Sequence, residues 1–348
     1  TNTTQAVAHQ QALLNLNDKR CTTILVLDNH TPSKIPCRQR RSVMQRTVRR
    51  AARAYCAPAY RMLATPVYRM LAAALCLLQA ACQPGIDAAI AASLQCPAAP
   101  ATASAAPTLL PYTLVAHYPH RQDAFSQGLI YAGQAVIEST GRYGRSSLAR
   151  IPLGASTPSF ELPLEPNLFG EGLARVDNQL LQLTWKSGTV LRYQLKPDNP
   201  FAQAPAVLAS GRIEGEGWGA TSDGRALYTS DGSATITVRD PQTLQALRAI
   251  EVVAAGRPLR KLNELEWVNG CILANIWGSA SIAVIDPTSG AVPYQIDLAE
   301  IARREQRLAP QNVANGIAYR DDNGNLLVTG KNWQYIYELQ FASPGNKP

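Results

Sequence analysis

Five stretches of this chain repeat one pattern, and the repeat restricts the folds open to it. They are QGLIYAGQAVIESTG from residue 127, EGLARVDNQLLQLTW from 171, WGATSDGRALYTSDG from 218, NELEWVNGCILANIW from 263 and NGIAYRDDNGNLLVTGK from 315. Each opens on a polar or aromatic residue, usually followed by Gly. An apolar pair, a turn, an apolar strand and a second distinctive residue come after. The intervals are 44, 47, 45 and 52 residues. From Tyr112 onward the chain reads as short alternating strands with turn signals such as SDG, DPQT, DPTSG and DDNGN. Helical periodicity is confined to DLAEIARREQ, around 297–306. Five units of about 45 residues, each a four-stranded sheet, close by radial repetition. The expected fold is all-β, a five-bladed β-propeller over residues 109–343. The segments 127–139, 171–185, 218–230, 263–276 and 315–329 are expected innermost.

The front of the chain has a different character. Residues 1–110 hold 12 Lys/Arg against 3 Asp/Glu, and the remainder 21 against 22. The net charge of +8 therefore belongs to the front, and no nucleic-acid partner follows from it. Cysteine is equally lopsided. Six of the seven lie at or before Cys96, which leaves Cys271 alone in the main domain and excludes a disulfide framework there. Residues 1–69, with the basic run RQRRSVMQRTVRRAARAY, read as an upstream extension outside the mature protein. The chain opens on Thr1, and Met62 and Met70 are both candidate starts. Arg69 then precedes an apolar stretch of signal-peptide length ending in small residues, too short to span a bilayer. LQAAC loosely resembles a lipoprotein box with Cys82 as the acylated residue, although Gln79 stands where an aliphatic residue is usual. Residues 83–108, rich in Ala and Pro, read as a tether. The expected location is outside the cytoplasm: periplasmic, secreted, or lipid-anchored through Cys82.

The repeat also aligns residues of chemical interest. Its first position holds Gln127, Glu171, Trp218, Asn263 and Asn315. A second ring follows at Gly141, Trp185, Gly232 and Trp277, with Lys331 shifted two residues by the longer RDDNGN turn. A propeller kept only for stability would place small or aliphatic residues at such points. Here one carboxylate, three amides, one ammonium and three indoles face a central channel. Any one of them alone reads most simply as structural. Glu171, between two glycines in FGEGL, is either a turn residue pointing at water or an acid at a cavity wall.

The inventory excludes several chemistries. The domain holds only His117 and His120, both at its entry strand, and one cysteine. A His-based triad, a Cys–His pair and a His-ligated zinc are disfavoured. Carboxylate general acid–base catalysis, assisted by amide and ammonium donors, remains.

FSQGL, ESTGRYGRSSL, FGEGL, LTWK, EGWG, LNELEWVNG, ANIW and VTGKNW together resemble the plant-type glutaminyl-peptide cyclotransferases, which also occur in bacteria. The resemblance covers residues 112–341. Small departures are Ser126 where Thr is common, Arg142 where an apolar residue is, and Ala220 where Leu is typical. The resemblance implies a five-bladed propeller that cyclises the N-terminal glutamine of peptides and proteins to pyroglutamate, releasing ammonia. It implies Glu171 as proton carrier, with Gln127, Asn263 and Lys331 orienting it and stabilising the oxyanion. Phe125, Phe169, Trp185, Trp218 and Trp277 are the implied pocket walls. No catalytic metal or other cofactor is expected, while the channel is compatible with a structural divalent ion. Lys331 would lower the pKa of Glu171 and desolvation would raise it, and the sequence leaves the balance open. Two other readings stand beside this one: a propeller that only binds peptide or sugar, and a calcium-dependent lactonase using Glu171, Asn263 and Asn315.

Overall fold

The computed structural model describes residues 104–341 apart from 198–199 and 307–310, together with Leu94, Cys96 and the strands Val26–Asp28 and Thr31–Ser33. The chain divides into two compact units, 1–83 and 84–348. In the first, the two short strands pair antiparallel. The expected signal segment, its start sites, Cys82 and most of the upstream extension lie outside the described residues. No described helix is long and apolar enough to cross a membrane.

The second unit is a five-bladed propeller of antiparallel sheets. The innermost strands are Ser126–Tyr131, Gly170–Val176, Ala220–Ser222, Leu262–Val268 and Ala314–Tyr319, the leading half of each expected segment, while the trailing half forms the next strand out. The second strands, such as Ala135–Thr140 and Leu326–Gly330, are buried on both faces, so they read as nearly continuous apolar runs. Outer strands such as Ala206–Arg212 are largely exposed. The turn signals act as their chemistry requires. Asn269 and Gly270 both take positive φ, the tight-hairpin pattern. In DPQT the Asp240 carboxylate accepts the N–H groups of Gln242 and Thr243.

Each seam between blades is filled by its own apolar cluster. Leu173, Leu180 and Tyr193 of the second blade meet Ile137 and Leu148 of the first. Leu181 and Leu183 meet Leu227 and Leu244 at the next seam. Ile236 and Ile250 meet Leu265 and Ile272 at the third. Leu273 and Val284 meet Val328 and Trp333 at the fourth, and Leu327 and Ile336 return to Leu129 and Val136 at the fifth. A buried side chain of this kind contributes roughly 1.5–3 kcal/mol.

The ring is closed by the strand preceding the first repeat. Tyr112–Pro119 pairs antiparallel with Tyr335–Phe341 and becomes the outer strand of the fifth blade. Thr108–Leu109 adds a parallel fifth strand to the fourth blade. The segment before it is also tied down: Leu94 joins the core of the fourth seam, and Cys96 forms a disulfide with Cys271. The count of one cysteine in the main domain excluded internal pairs, but the partner comes from the Ala/Pro-rich stretch. Among the described residues one helix, α1 (Ala299–Gln306), precedes the fifth blade, where helical periodicity was expected.

Candidate active site

The inner strands approach closely at the channel mouth, because four of the five repeats carry glycine at the second position. A Cβ on Gly219 would fall 1.9 Å from the carbonyl oxygen of Asn263. The fourth repeat has Glu264 there instead. Its carboxylate accepts the N–H groups of Leu129 and Ile317 from two other blades, at 3.3 and 2.9 Å. The first residues of the inner strands and the residues ending the second strands therefore converge on one end of the channel.

There, all nine singled-out residues line one cavity of about 410 Å³: Phe125, Gln127, Phe169, Glu171, Trp185, Trp218, Asn263, Trp277 and Lys331. Glu171, Gln127, Asn263 and Lys331 are buried, while Trp277 is 45 % exposed at the rim. Glu171 is a cavity-wall acid, not a turn residue facing bulk water. The Gly members of the second ring have a steric reason. A Cβ on Gly141 would fall 2.2 Å from the ring of Phe169. The aromatic walls meet edge to face: Phe125 on Phe169 at 6.2 Å, Phe169 on Trp185 at 5.5 Å, and Trp218 on Trp277 at 6.4 Å.

Desolvation outweighs the cation beside the acid. Burial pushes the Glu171 carboxyl well above the usual carboxylate range, opposed by the Lys331 charge and a hydrogen bond with Gln127, and reinforced by Glu216. Burial lowers the Lys331 ammonium to about 8, against the pull of Glu171. The Lys331 Nζ also stands 4.6 Å from the Phe125 ring centroid.

Asn315 is the one repeat-equivalent polar residue that does not line the cavity. It is fully buried behind Gln127, and its Nδ2 donates to Gln127 Oε1 and to the Ser126 carbonyl, both at 2.9 Å. Asn315 therefore does not join Glu171 and Asn263 in the cavity lining. Among the described residues no group of three or more His, Cys, Asp or Glu side chains could hold a metal ion.

Two features escaped the sequence. Glu216 Oε2 accepts both indole N–H groups, from Trp185 at 2.7 Å and Trp218 at 2.9 Å. The signal was present in EGWG, but nothing in a sequence says where that carboxylate points. His120 and Glu138 form a buried pair beneath the site, with Nε2 at 2.8 Å from Oε1. Ser126 Oγ donates to the same Oε1 at 2.6 Å and not to the histidine, so the trio lacks the order of a nucleophilic triad.

Residues 88–341 match the family model described as glutamine cyclotransferase. This chain belongs to the glutamine cyclotransferase family. A glutaminyl-peptide cyclotransferase of Arabidopsis thaliana is 36% identical over 237 residues, 67% of this chain and 72% of the relative. The crystal structure of Myxococcus xanthus glutaminyl cyclase matches with a TM-score of 0.62 at 33% identity, covering 68% of this chain and 100% of that one. The activity class is that of a glutaminyl-peptide cyclotransferase, which sets aside the non-catalytic and lactonase readings.

Proposed function

We propose that this propeller cyclises the N-terminal glutamine of peptides and proteins within the nine-residue cavity, with Glu171 carrying the proton. The observation behind this reading is a single buried carboxylate facing an ammonium and two amides inside an aromatic wall. The neutral α-amine attacks the γ-carboxamide carbon, forming the C–N bond of a five-membered ring. Both reactants belong to one molecule, so the cavity mainly selects the folded conformer. Glu171 accepts the proton released by the amine and returns it to the departing nitrogen, so that ammonia leaves and the carboxylate is restored. An acid held above the ordinary carboxylate range suits both halves of that transfer. Lys331 and Asn263 supply donors to the oxygen that gains charge, and Gln127 holds Glu171. The indoles and phenyl rings exclude water from the closing ring.

The test is ammonia release from a Gln-initiated dipeptide. Glu171→Gln keeps the size of the side chain and removes the titrating group, so turnover should fall by about 10²–10⁴-fold in a protein whose circular dichroism is unchanged. A folded, fully active variant would remove the mechanism.

Export is inferred from two features, the apolar stretch following Arg69 and the Cys96–Cys271 disulfide, which suits an oxidising compartment. Mass spectrometry of the native N-terminus tests it. A mature chain beginning before Met70 would refute it.

A further inference from the structure

The aromatic wall is continuous from Phe125 through Phe169 to Trp185, and again from Trp218 to Trp277. No ring contact closes the gap between Trp185 and Trp218 among the described residues. One atom spans it. We propose that Glu216 is a positioning residue whose Oε2, shared by the two indole N–H groups, locks both halves of the wall together and fixes a negative charge at that junction.

The geometry gives the carboxylate two separable effects. Trp185 follows the second strand of the second blade and Trp218 leads into the third, so the bridge crosses a blade seam. An indole N–H has one donor and needs an acceptor when its ring is packed, and a charged acceptor makes the stronger bond. Truncation would free both rings to change rotamer, which affects how well the substrate is held. The second effect is electrostatic. Lys331 of the fifth blade shares the cavity with Glu171, and the Glu216 charge acts on it from the loop entering the third blade. The negative neighbour works with burial to keep the carboxyl protonated, and the cation works against them. Glu216 also borders a groove of about 520 Å³ lined by Lys186, Arg212 and Glu214, while its two indole partners line the catalytic cavity.

The role rests on the cyclase reading, and the experiment separates the two. Glu216→Ala removes the bridge and Glu216→Gln keeps an acceptor while removing the charge. Kinetics use a Gln-initiated dipeptide across a pH series, and intrinsic tryptophan emission is recorded without substrate. Glu216→Ala should raise KM roughly tenfold or more, with kcat less affected, and should shift the emission. Glu216→Gln should hold KM near the parent value and move the acid limb of kcat to lower pH. Glu214→Gln, a neighbouring carboxylate without an indole contact, should change neither. An unmoved KM and emission in Glu216→Ala would overturn the bridge. An acid limb shifted equally by Glu214→Gln would overturn the specific charge effect. If the parent protein releases no ammonia, the cyclase reading fails, and the emission spectrum still decides the bridge.

Discussion

Asn315 Nδ2 donates to Gln127 Oε1 at 2.9 Å, so the orientation of the Gln127 amide is fixed from behind the cavity. With its carbonyl turned to Asn315, the amide leaves its NH₂ group to favour the ionised Glu171 carboxylate. A donor at that place favours the charged acid and partly offsets burial.

The arrangement predicts an order of effects at position 315. Asn315→Ala removes the orienting donor and should lower stability by about 1–3 kcal/mol while slowing turnover modestly. Asn315→Asp replaces the donor with an acceptor. Gln127 should then turn its NH₂ toward position 315 and its carbonyl toward Glu171, and kcat should fall further than with alanine. Turnover at saturating substrate, beside thermal melts of both variants, checks this order; equal kcat values would contradict it.

Lys331 and Glu171 make a prediction about pH. The acid must be ionised to take the proton, so kcat rises as pH passes its elevated pKa. It falls again as Lys331 loses its proton near 8. Lys331→Met should abolish the alkaline limb. It should also move the acid limb to higher pH, because the carboxylate loses the Lys331 cation that opposes its burial. The profile is to be read on kcat, which reports the bound complex and leaves out titration of free substrate. An acid limb that stays in place would show that the two groups are not paired in the working enzyme.

The repeat carried most of what the fold and site reveal. Residues at equivalent positions around a closed ring must face the same channel, so Gln127, Glu171, Asn263 and the indoles were legible without any contact being known. Asn315 occupies an equivalent position but sits one layer deeper, a difference that depends on side-chain packing behind Gln127. Glu216 was invisible for a related reason. It lies outside both rings, in the loop between blades, and its importance comes from two donors brought together across a seam. Composition reports local freedom and says nothing of a distant thiol, so the residues around Cys96 carry the signature of a loose tether.

That disulfide predicts a stability effect without a catalytic one. Cys96, in the segment before the propeller, and Cys271, on the fourth blade, are 175 residues apart in sequence, and neither lines the cavity. Cys96→Ser, or reduction of the parent protein, should cost roughly 2–5 kcal/mol. Melting temperature should drop while kcat at 25 °C stays level. Unchanged melting on complete reduction would contradict it.

His120 sits at the seam where the ring closes, one residue beyond the outer strand of the fifth blade, and reaches Glu138 in the first. Its Nδ1 faces the Trp333 carbonyl at 3.0 Å and its Nε2 faces Glu138 Oε1, so both nitrogens meet acceptors. That environment favours an imidazolium. Burial disfavours the charge, but the Glu138 carboxylate outweighs it and the histidine pKa is raised above 6.5. Burial likewise disfavours the Glu138 charge, but His120, with hydrogen bonds from it and from Ser126, wins and holds that carboxyl below 4.5. The signs define a window. The contribution of His120 is complete below pH 6.5 and is lost as pH rises through its elevated value. That of Glu138 is present above pH 4.5 and is lost as pH falls through its depressed value. His120→Ala leaves a buried, unpaired carboxylate and should destabilise the fold by about 3–5 kcal/mol. Glu138→Gln should leave His120 neutral and flatten the alkaline decline, and should bring in a loss of stability as pH falls below 6.5, where only the unfolded imidazole takes up a proton. Denaturation midpoints measured from pH 4 to 9 for the parent and both variants decide the matter. Parallel curves would mean that the pair does not titrate with folding, and that the seam is held by its apolar cluster alone.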